Sequence, residues 1–553
     1  MAYNWFLVVV VCVVVPLVLA VNAYLLVHYA HPGDRNQAWL PKLVVLLGLS
    51  LCTWSVLLLP LDIANRAACD DGVVASACEL TLPMRELWFA VYVLMAAWVG
   101  AVVPFCLFYY EADSELSFFG RVFHGAQWTI MIMLVSALVL GLGYGLAGYV
   151  DYDVRPLYAG LTDIGELTAL AIGEDGSLTE VTSGNPNANA WSCAPHAAPE
   201  PNAPKLHRGC DALLTPAATE LWTLRPSFLV YVIALVSIVG WLLFMVYSGV
   251  GVISVPVDAI MGFIYRPRTV ITRSEYERDA RLIAKRSKEL AEIAQALRQD
   301  ERSGGKTRRW KRSVAALNKE LILLEEEEAE LQEMFPQGED ADTKWAMVVV
   351  GHALKFAWGI FSVLISLAWL LHIVLYVFVQ PPVSPFLNDF FIELDDAFPL
   401  FGVLALSVFC FYLVCTVVAG NFRLGVGVGF VTVHPMRVGG TLMSSFLFNT
   451  GVIMLSCLAV IQFCAQAFDA YANDTEIEDI FGNQIEHLRG IKYLYTYNVF
   501  MFAFCGLAFL SACWLAYSYS RDPRRGRVGT GGSKARLAGS GKAAAAAAVP
   551  NQA

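Results

Sequence analysis

Three apolar runs, Val8 to Leu26, Leu40 to Leu61 and Val348 to Val379, constrain this chain more than any motif in it. Each is long enough to cross about 30 Å of hydrocarbon at about 1.5 Å per residue. Lipid has to solvate them. Composition agrees: of 553 residues, 57% are hydrophobic and only 16% charged, against roughly 25% charged in soluble globular chains. Transmembrane β-barrels read as alternating segments of about ten residues, not as unbroken apolar runs. The expected fold class is therefore all-α: a polytopic membrane protein in contact with the bilayer. The charge balance, 38 Lys plus Arg against 48 Asp plus Glu, is acidic at net −10 and argues against nucleic-acid binding.

Windows of about 20 residues give nine candidate spans, near 5–28, 41–62, 87–110, 125–148, 227–250, 347–379, 398–420, 441–467 and 494–519. The fifth run continues through Pro256 and Asp258 to Tyr265, too long for one straight crossing, so it tilts, breaks or adds an interfacial segment. The sixth is also overlong. Whether 250–264 is re-entrant stays open, and the glycine-rich 421–440 is read as either re-entrant or simply connecting. The first span lacks a preceding Lys or Arg and a small-residue cleavage site, and is expected to be retained.

Basic residues orient the spans. Placing the N-terminus outside puts both Lys/Arg-rich regions, Arg266 to Lys344 and the tail beyond residue 520, in the cytosol, which requires an odd number of crossings. Nine satisfies this. The domain reading is a membrane region 1–264 with five spans and external loops 63–86 and 149–226, a cytosolic coiled-coil hairpin 265–345, a four-span membrane region 346–520, and a basic Ala/Gly-rich tail 521–553 expected to be disordered. Of 13 cysteines, Cys69, Cys78, Cys193 and Cys210 lie in the two external loops, where disulfides form. Local pairing, Cys69 with Cys78 and Cys193 with Cys210, is the simplest of three connectivities, and four free thiols is the alternative. The sequon at Asn473 also falls outside. Residues 150–225 lack sustained apolar periodicity and are expected to be a loose, disulfide-pinned loop.

In the cytosolic segment, Leu282, Ile283, Leu290, Ile293, Ala294 and Leu297, then Val314, Leu317, Leu321, Leu324 and Leu331, recur at helical steps. Ser303-Gly304-Gly305 breaks the helix between them, so the arms are expected to fold back as an antiparallel hairpin. Residues 276–334 are the candidate surface for a cytosolic or membrane protein partner; a solvated hairpin held by its own seam is the plainer reading. No Walker loop, HExxH, nucleophile elbow or CxxC pair is present, so neither an enzyme, a metal site nor a cofactor is expected. The polar candidates are few. Asp62 and Asn65, at one end of the second span, read as a helix-end cap or salt bridge before an ion site. Asp258, beyond Pro256, lies either at membrane depth, where an ionisable group is a functional candidate, or at the interface. Asn449 reads as a polar contact between helices, and Gly141, Gly143, Gly145 and Gly148 as a small-residue packing face.

The longer motifs carry a resemblance. LPLDIANR at 59–66, TLPM at 81–84, PFCLFYYEAD at 104–113, RPRTVITRSEY at 266–276, PPVSPFLNDFFIELDD at 381–396, HPMRVGGTLMSSFLFN at 434–449 and LRGIKYLYTYNVF at 488–500 resemble the LIMR family. These limb-region-type membrane proteins include the lipocalin-interacting membrane receptor and the lysosomal cobalamin escort, and the likeness is strongest to plant-type members. It covers about residues 1–520, with a poor match at 165–215. The resemblance implies nine spans, an external N-terminus and a cytosolic C-terminus. It further implies a receptor, escort or scaffold of the endolysosomal or plasma membrane, with an ABC-type transporter or a lipocalin-like ligand as partner. A secondary transporter or channel for a small molecule or lipid is the alternative, and a scaffold regulating signalling receptors a third.

Overall fold

A computed structural model describes residues 5–31, 34, 39–70, 82–112, 115–154, 168–172, 178–182, 191–193, 220–302, 308–338, 340–379, 382–398, 400–424, 426–428, 431–434, 436, 438–472, 475–477, 485 and 487–520. The helices in chain order are α1 (Trp5–Tyr29), α2 (Trp39–Asp70), α3 (Met84–Ala97), α4 (Val103–Glu111), α5 (Phe118–Ala147), α6 (Phe228–Ile264), α7 (Arg273–Arg302) and α8 (Arg308–Met334). After them come α9 (Ala341–His372), α10 (Phe386–Ala397), α11 (Phe401–Leu424), α12 (Met443–Ala467), α13 (Lys492–Thr496) and α14 (Val499–Ser520). A π-helical turn at Trp98–Val102 joins α3 to α4, and another at Ile373–Phe378 ends α9.

Among the described residues nine helices are long and apolar enough to cross a membrane: Val8–Tyr29, Trp39–Asn65, Met84–Glu111, Phe118–Ala147, Phe228–Ile264, Ala341–Phe378, Phe401–Leu424, Met443–Ala467 and Val499–Ser520. These are the nine expected runs. The fifth does not break: α6 carries Pro256 inside one helix of 37 residues, roughly 55 Å long. The 421–440 stretch is neither a loop nor a helix throughout. α11 runs to Leu424, and strands β6 (Val426–Val428) and β7 (Val431–His434) pair antiparallel after it.

The described residues fall into two compact units, one drawn from Met1–Leu134, Leu235–Glu478 and Tyr497–Ala553, the other from Val135–Ala234 and Asp479–Thr496. α12 is the centre of the first. Its side chains from Met443 to Ala467 are buried almost without interruption, so it has no polar face; it packs on α2, α4 and α11. Close approach is set by glycine. On α6 and α11 the contact is reciprocal: a Cβ on Gly251 would stand 1.8 Å from the Thr416 carbonyl oxygen, and one on Gly420 would stand 1.9 Å from that of Tyr247. Ser248 and Thr416 hydroxyls meet at 2.7 Å in the same crossing. On the α9 side, Ser366 donates to the Val252 carbonyl at 2.7 Å and meets the Tyr412 hydroxyl at 2.6 Å. Small residues and hydroxyls thus do what hydrophobic driving force cannot do between helices in lipid.

α7 and α8 lie antiparallel. Ile271 N–H donates to the Met334 carbonyl at 3.1 Å, Arg286 reaches Glu320 at 3.0 Å, and the Trp310 indole donates to the Leu297 carbonyl at 2.9 Å. Leu290, Leu324 and Leu331 are buried, but Leu282 and Leu321, expected in the seam, are 39% exposed each. Thr272 and Glu275 form a capping box at the start of α7: Thr272 N–H donates to Glu275 Oε2 at 3.0 Å and Glu275 N–H to Thr272 Oγ1 at 3.4 Å.

Most of residues 150–225, expected to be a loose loop, lie outside the described residues; those described include five short strands. Strand β1 (Val150–Val154) pairs antiparallel with β5 (Glu220–Leu224), and β2 (Thr168–Ile172), β3 (Leu178–Thr182) and β4 (Trp191–Cys193) form a three-stranded antiparallel sheet. Five-residue strands carry too short an alternation to stand out beside 20-residue apolar runs. The packing face read from α5 is corrected. Gly143 meets the Tyr231 hydroxyl, but Gly141 and Gly145 have nothing within 4 Å and Gly148 meets only its own Tyr144.

Candidate functional site

Asp62 is 3% exposed near the end of α2. Its Oδ2 accepts hydrogen bonds from the Trp88 indole at 2.9 Å and from the Ile477 backbone N–H at 3.3 Å. One turn on, Asn65 Oδ1 accepts from the Leu82 backbone N–H at 2.7 Å. The LPLDIANR and TLPM motifs are therefore one joint: the polar residues of the first satisfy the backbone and indole donors at the start of α3 and the segment beyond α12. The buried carboxylate is thus held by two protein donors from other segments. Among the described residues no group of three or more His, Cys, Asp or Glu is placed to hold a metal.

Asp258 is in a different setting. It forms an ion pair with Arg423 at the end of α11, and the Tyr519 hydroxyl donates to its Oδ1 at 2.7 Å. The Arg423 guanidinium lies 5.4 Å from the Trp514 ring centroid. A carboxylate 45% exposed, a cation and two amphipathic aromatics at three helix ends are the composition of a membrane–water boundary. Arg266, nearby in sequence, turns back to donate to the Phe263 carbonyl at 2.9 Å.

Asn449 is fully buried in α12, its Nδ2 donating to the Ser445 carbonyl one turn back at 2.7 Å. Asn22 Nδ2 donates to Ser50 Oγ at 3.3 Å, joining α1 to α2. His352, at the start of the sixth span, lies 3.7 Å from Glu333. The four polar candidates thus occupy three settings rather than one site. The Cys69, Cys78, Cys193 and Cys210 side chains and the whole of Asn473 lie outside the described residues.

Three further polar anchors escaped the sequence reading. Asp34, buried before α2, accepts from the Met443 backbone N–H at 3.2 Å and from the Tyr110 hydroxyl at 2.9 Å. It caps α12 from more than 400 positions away, where the positive end of the helix dipole favours an anion. Beside it the end of α1 clamps residues 439–441: Gly439 N–H donates to the His28 carbonyl at 3.0 Å, Thr441 N–H to that of Tyr29 at 3.1 Å, and His31 N–H to that of Thr441 at 3.0 Å. Asp395 sits on α10 and does the same for α11, accepting from the Gly402 backbone N–H at 2.7 Å and from the Tyr471 hydroxyl. His372 is fully buried at the π turn of α9, its Nε2 within 2.8 Å of the Ala467 carbonyl and its ring stacked with Tyr376 and Phe468. Only the partners that the fold brings to these groups reveal their roles.

Among the described residues, nine helices long and apolar enough to cross a membrane define a multi-pass integral membrane protein of the all-α class. The family described as LMBR1-like membrane protein matches residues 7–303 and 266–513. A LIMR family protein of Oryza sativa subsp. japonica is 44% identical over 515 residues, covering 93% of this chain and 96% of its own. One of Arabidopsis thaliana is 44% identical over 527 residues, 95% and 98% of the two chains. One of Dictyostelium discoideum is 29% identical over 542 residues, 95% and 100%. The chain belongs to the LMBR1-like, or LIMR, family. No solved structure matches it.

Proposed function

We propose that this chain is a membrane receptor or escort of the LIMR type that works through a protein partner held by the helical arm of residues 276–334. The observation that carries this reading is the arm itself. Two helices of 30 and 27 residues stand between the fifth and sixth spans. They close on each other through a narrow seam and leave most of their described charged side chains facing solvent. Within the spans, Asp62 and Asp258 are held by protein donors, which supports a structural use of intramembrane charge. In this reading the N-terminus is lumenal or extracellular, the arm (265–345) and the tail (521–553) are cytosolic, and the membrane regions are 1–264 and 346–520. The Cys69–Cys78 and Cys193–Cys210 pairs and a glycan on Asn473 then face outward. The family resemblance supplies the cargo expectation, endocytic uptake or lysosomal cobalamin handling beside an ABC-type transporter.

Deleting residues 276–334 is expected to abolish partner co-purification from the native membrane while the remaining chain stays monodisperse in detergent. An unchanged set of partners would sink the proposal. A second reading, a transporter for a small molecule or lipid, is favoured by the π turns that interrupt the third and sixth spans, since such turns recur at functional sites. Solute uptake by reconstituted vesicles of the purified chain alone would establish that reading.

A further inference from the structure

Two arginines share one aromatic ring where the fourth span ends and the fifth begins. The Arg225 and Arg489 guanidiniums each lie 5.4 Å from the Tyr149 ring centroid. Their charges are met differently. Arg489 forks onto Asp151 at 2.8 and 2.9 Å. Arg225 is exposed and has no hydrogen-bond or ion-pair partner among the described residues; a second ring, Tyr144, lies 4.9 Å from it. Ring faces attract a cation but leave its N–H donors without a conventional acceptor. The aromatic cradle is itself fixed: the Tyr144 hydroxyl donates to the Pro226 carbonyl at 2.8 Å, and its ring meets Phe228 edge-on at 5.4 Å. Arg225 is therefore a positioned positive charge without a counterion among the described residues.

Its depth identifies the missing anion. Arg225 stands three residues before the span Phe228–Ile264 and beside Tyr144, in the last turn of the span Phe118–Ala147. That is the boundary where hydrocarbon gives way to headgroups. Around it the apolar surface of the spans does not stop. Leu146 and Phe228 at the ends of α5 and α6 are exposed, and so are Trp222 and Leu224, which share one face of β5. We propose that Arg225, held by Tyr144 and Tyr149, binds the phosphate of an anionic glycerophospholipid whose acyl chains lie against the exposed ends of α5 and α6. Charge-assisted N–H contacts from one guanidinium to two phosphate oxygens are among the stronger hydrogen bonds. The phosphate gives Arg225 what Asp151 gives Arg489. The headgroup class follows from the same comparison. A zwitterionic headgroup brings a cation of its own, and the nearby Asp151 carboxylate is already engaged by Arg489 and the Thr223 hydroxyl; a net negative headgroup needs no such partner. A free phosphate ion meets the same donors but gains nothing from the apolar surface. Phosphates line both faces of a bilayer, so the site does not depend on which side these helix ends face.

The test titrates the full chain in detergent with dioleoyl-phosphatidylglycerol or dioleoyl-phosphatidylcholine and counts bound lipid by native mass spectrometry. Phosphatidylglycerol with a photoactivatable acyl chain then maps where the lipid lies. Phosphatidylglycerol is expected to bind about fivefold more tightly than phosphatidylcholine, the factor one basic residue contributes toward anionic lipid. Its crosslinks should fall on residues 142–147 and 226–232. Arg225→Ala should bring the preference close to one, and Arg225→Lys, which keeps the charge without the planar fork, should retain part of it. Arg268→Ala, which removes an equal charge from another exposed position, should leave the preference intact. A preference that survives Arg225→Ala, or that falls as far with Arg268→Ala, would overturn the proposal. So would crosslinks confined to other helices, or displacement of the lipid by inorganic phosphate at equal concentration, which would mark a site for the free ion. The crosslink map of the unaltered chain decides the matter even if a substituted chain fails to fold.

Discussion

The surroundings of α12 and the α7–α8 arm hold their polar groups in opposite ways. Around α12, Asp34, Asp62 and Asp395 each meet a backbone N–H that belongs to another segment. In the arm, most ion pairs stay within one helix at three or four residues' separation, as in Arg273–Glu277 and Arg286–Glu289, with Arg286–Glu320 crossing between helices. The difference follows from the medium. Where water is excluded, a donor that loses its partner has no replacement; on a wetted helix, hydration takes over and a pair contributes little. Core anchors should therefore be few, specific and costly to remove, and arm pairs many and replaceable.

The largest effect is expected at the α6–α11 crossing. Gly251→Val places carbon against the Thr416 backbone, which no rotamer can relieve, so the helices must separate at a cost of about 3 kcal/mol or more. The yield of monodisperse protein in detergent should collapse, and normal yield would show that the crossing is looser than drawn. Next comes Asp62→Ala, which strands the Trp88 indole and the Ile477 N–H together, roughly 2–6 kcal/mol at about 1–3 per orphaned group. Asp62→Asn keeps an acceptor and should recover at least half of the lost thermal stability. Equal losses for the two would mean that the charge, not the hydrogen bonds, is what matters there.

In the arm, Arg286→Ala removes the pair to Glu289 and the crossing pair to Glu320. A loss of about 1 kcal/mol is expected, shrinking as salt is raised. The measurement is a double-mutant cycle with Glu320→Ala on thermal unfolding of the arm at low and high ionic strength. A coupling that equals the Asp62 effect, or that ignores salt, would break the contrast between the two regions.

What was legible in the sequence follows the same division. The nine spans and the arm were readable because lipid and a helical seam each impose a pattern over 20 or more consecutive residues. Trp310, Leu317, Leu324 and Leu331 repeat every seven residues along α8. The anchors were half legible. Asp62 stands out as a charge in an apolar run, but nothing local points to Trp88 or Ile477. Asp34 and Asp395 look like ordinary loop acids until the ends of α12 and α11 are brought to them. The α10 helix hides for a related reason: its buried residues, Leu387, Asn388 and Phe391, span barely one turn, too little for a period. The glycines misled because spacing cannot say which face meets a neighbour. Among the described residues Gly141 and Gly145 meet nothing within 4 Å despite their regular spacing, whereas Gly251 lies in the overlong continuation of the fifth run and Gly420 at the end of the seventh span.

The smallest expected effect lies in the second unit, where water reaches an anchor. Arg489 forks onto Asp151 at 2.8 and 2.9 Å, the Thr223 hydroxyl donates to the same carboxylate at 3.0 Å, and Arg489 N–H donates to the Tyr149 carbonyl at 2.8 Å. Together they tie β1 to β5 and to residues 487–489. The Arg489 guanidinium beside it, helped by the Thr223 hydroxyl, holds the Asp151 carboxyl below the usual carboxylate range. A carboxyl depressed in the folded state stabilises it fully above its unfolded value, near 4. That contribution is lost as pH falls from there through the lower folded value. Amide exchange protection of the β1–β5 ladder in wild type should therefore drop as pH falls below about 4 by more than in Asp151→Asn, which has no proton to gain. High salt should reduce the difference, since Arg489 is half exposed. Parallel curves for the two chains would show that the fork is ornamental and that the backbone bonds of Tyr149 and Asp151 hold the ladder alone. A wetted anchor would then behave like the arm's pairs, and burial rather than geometry would be the sole determinant of what a polar contact contributes in this protein.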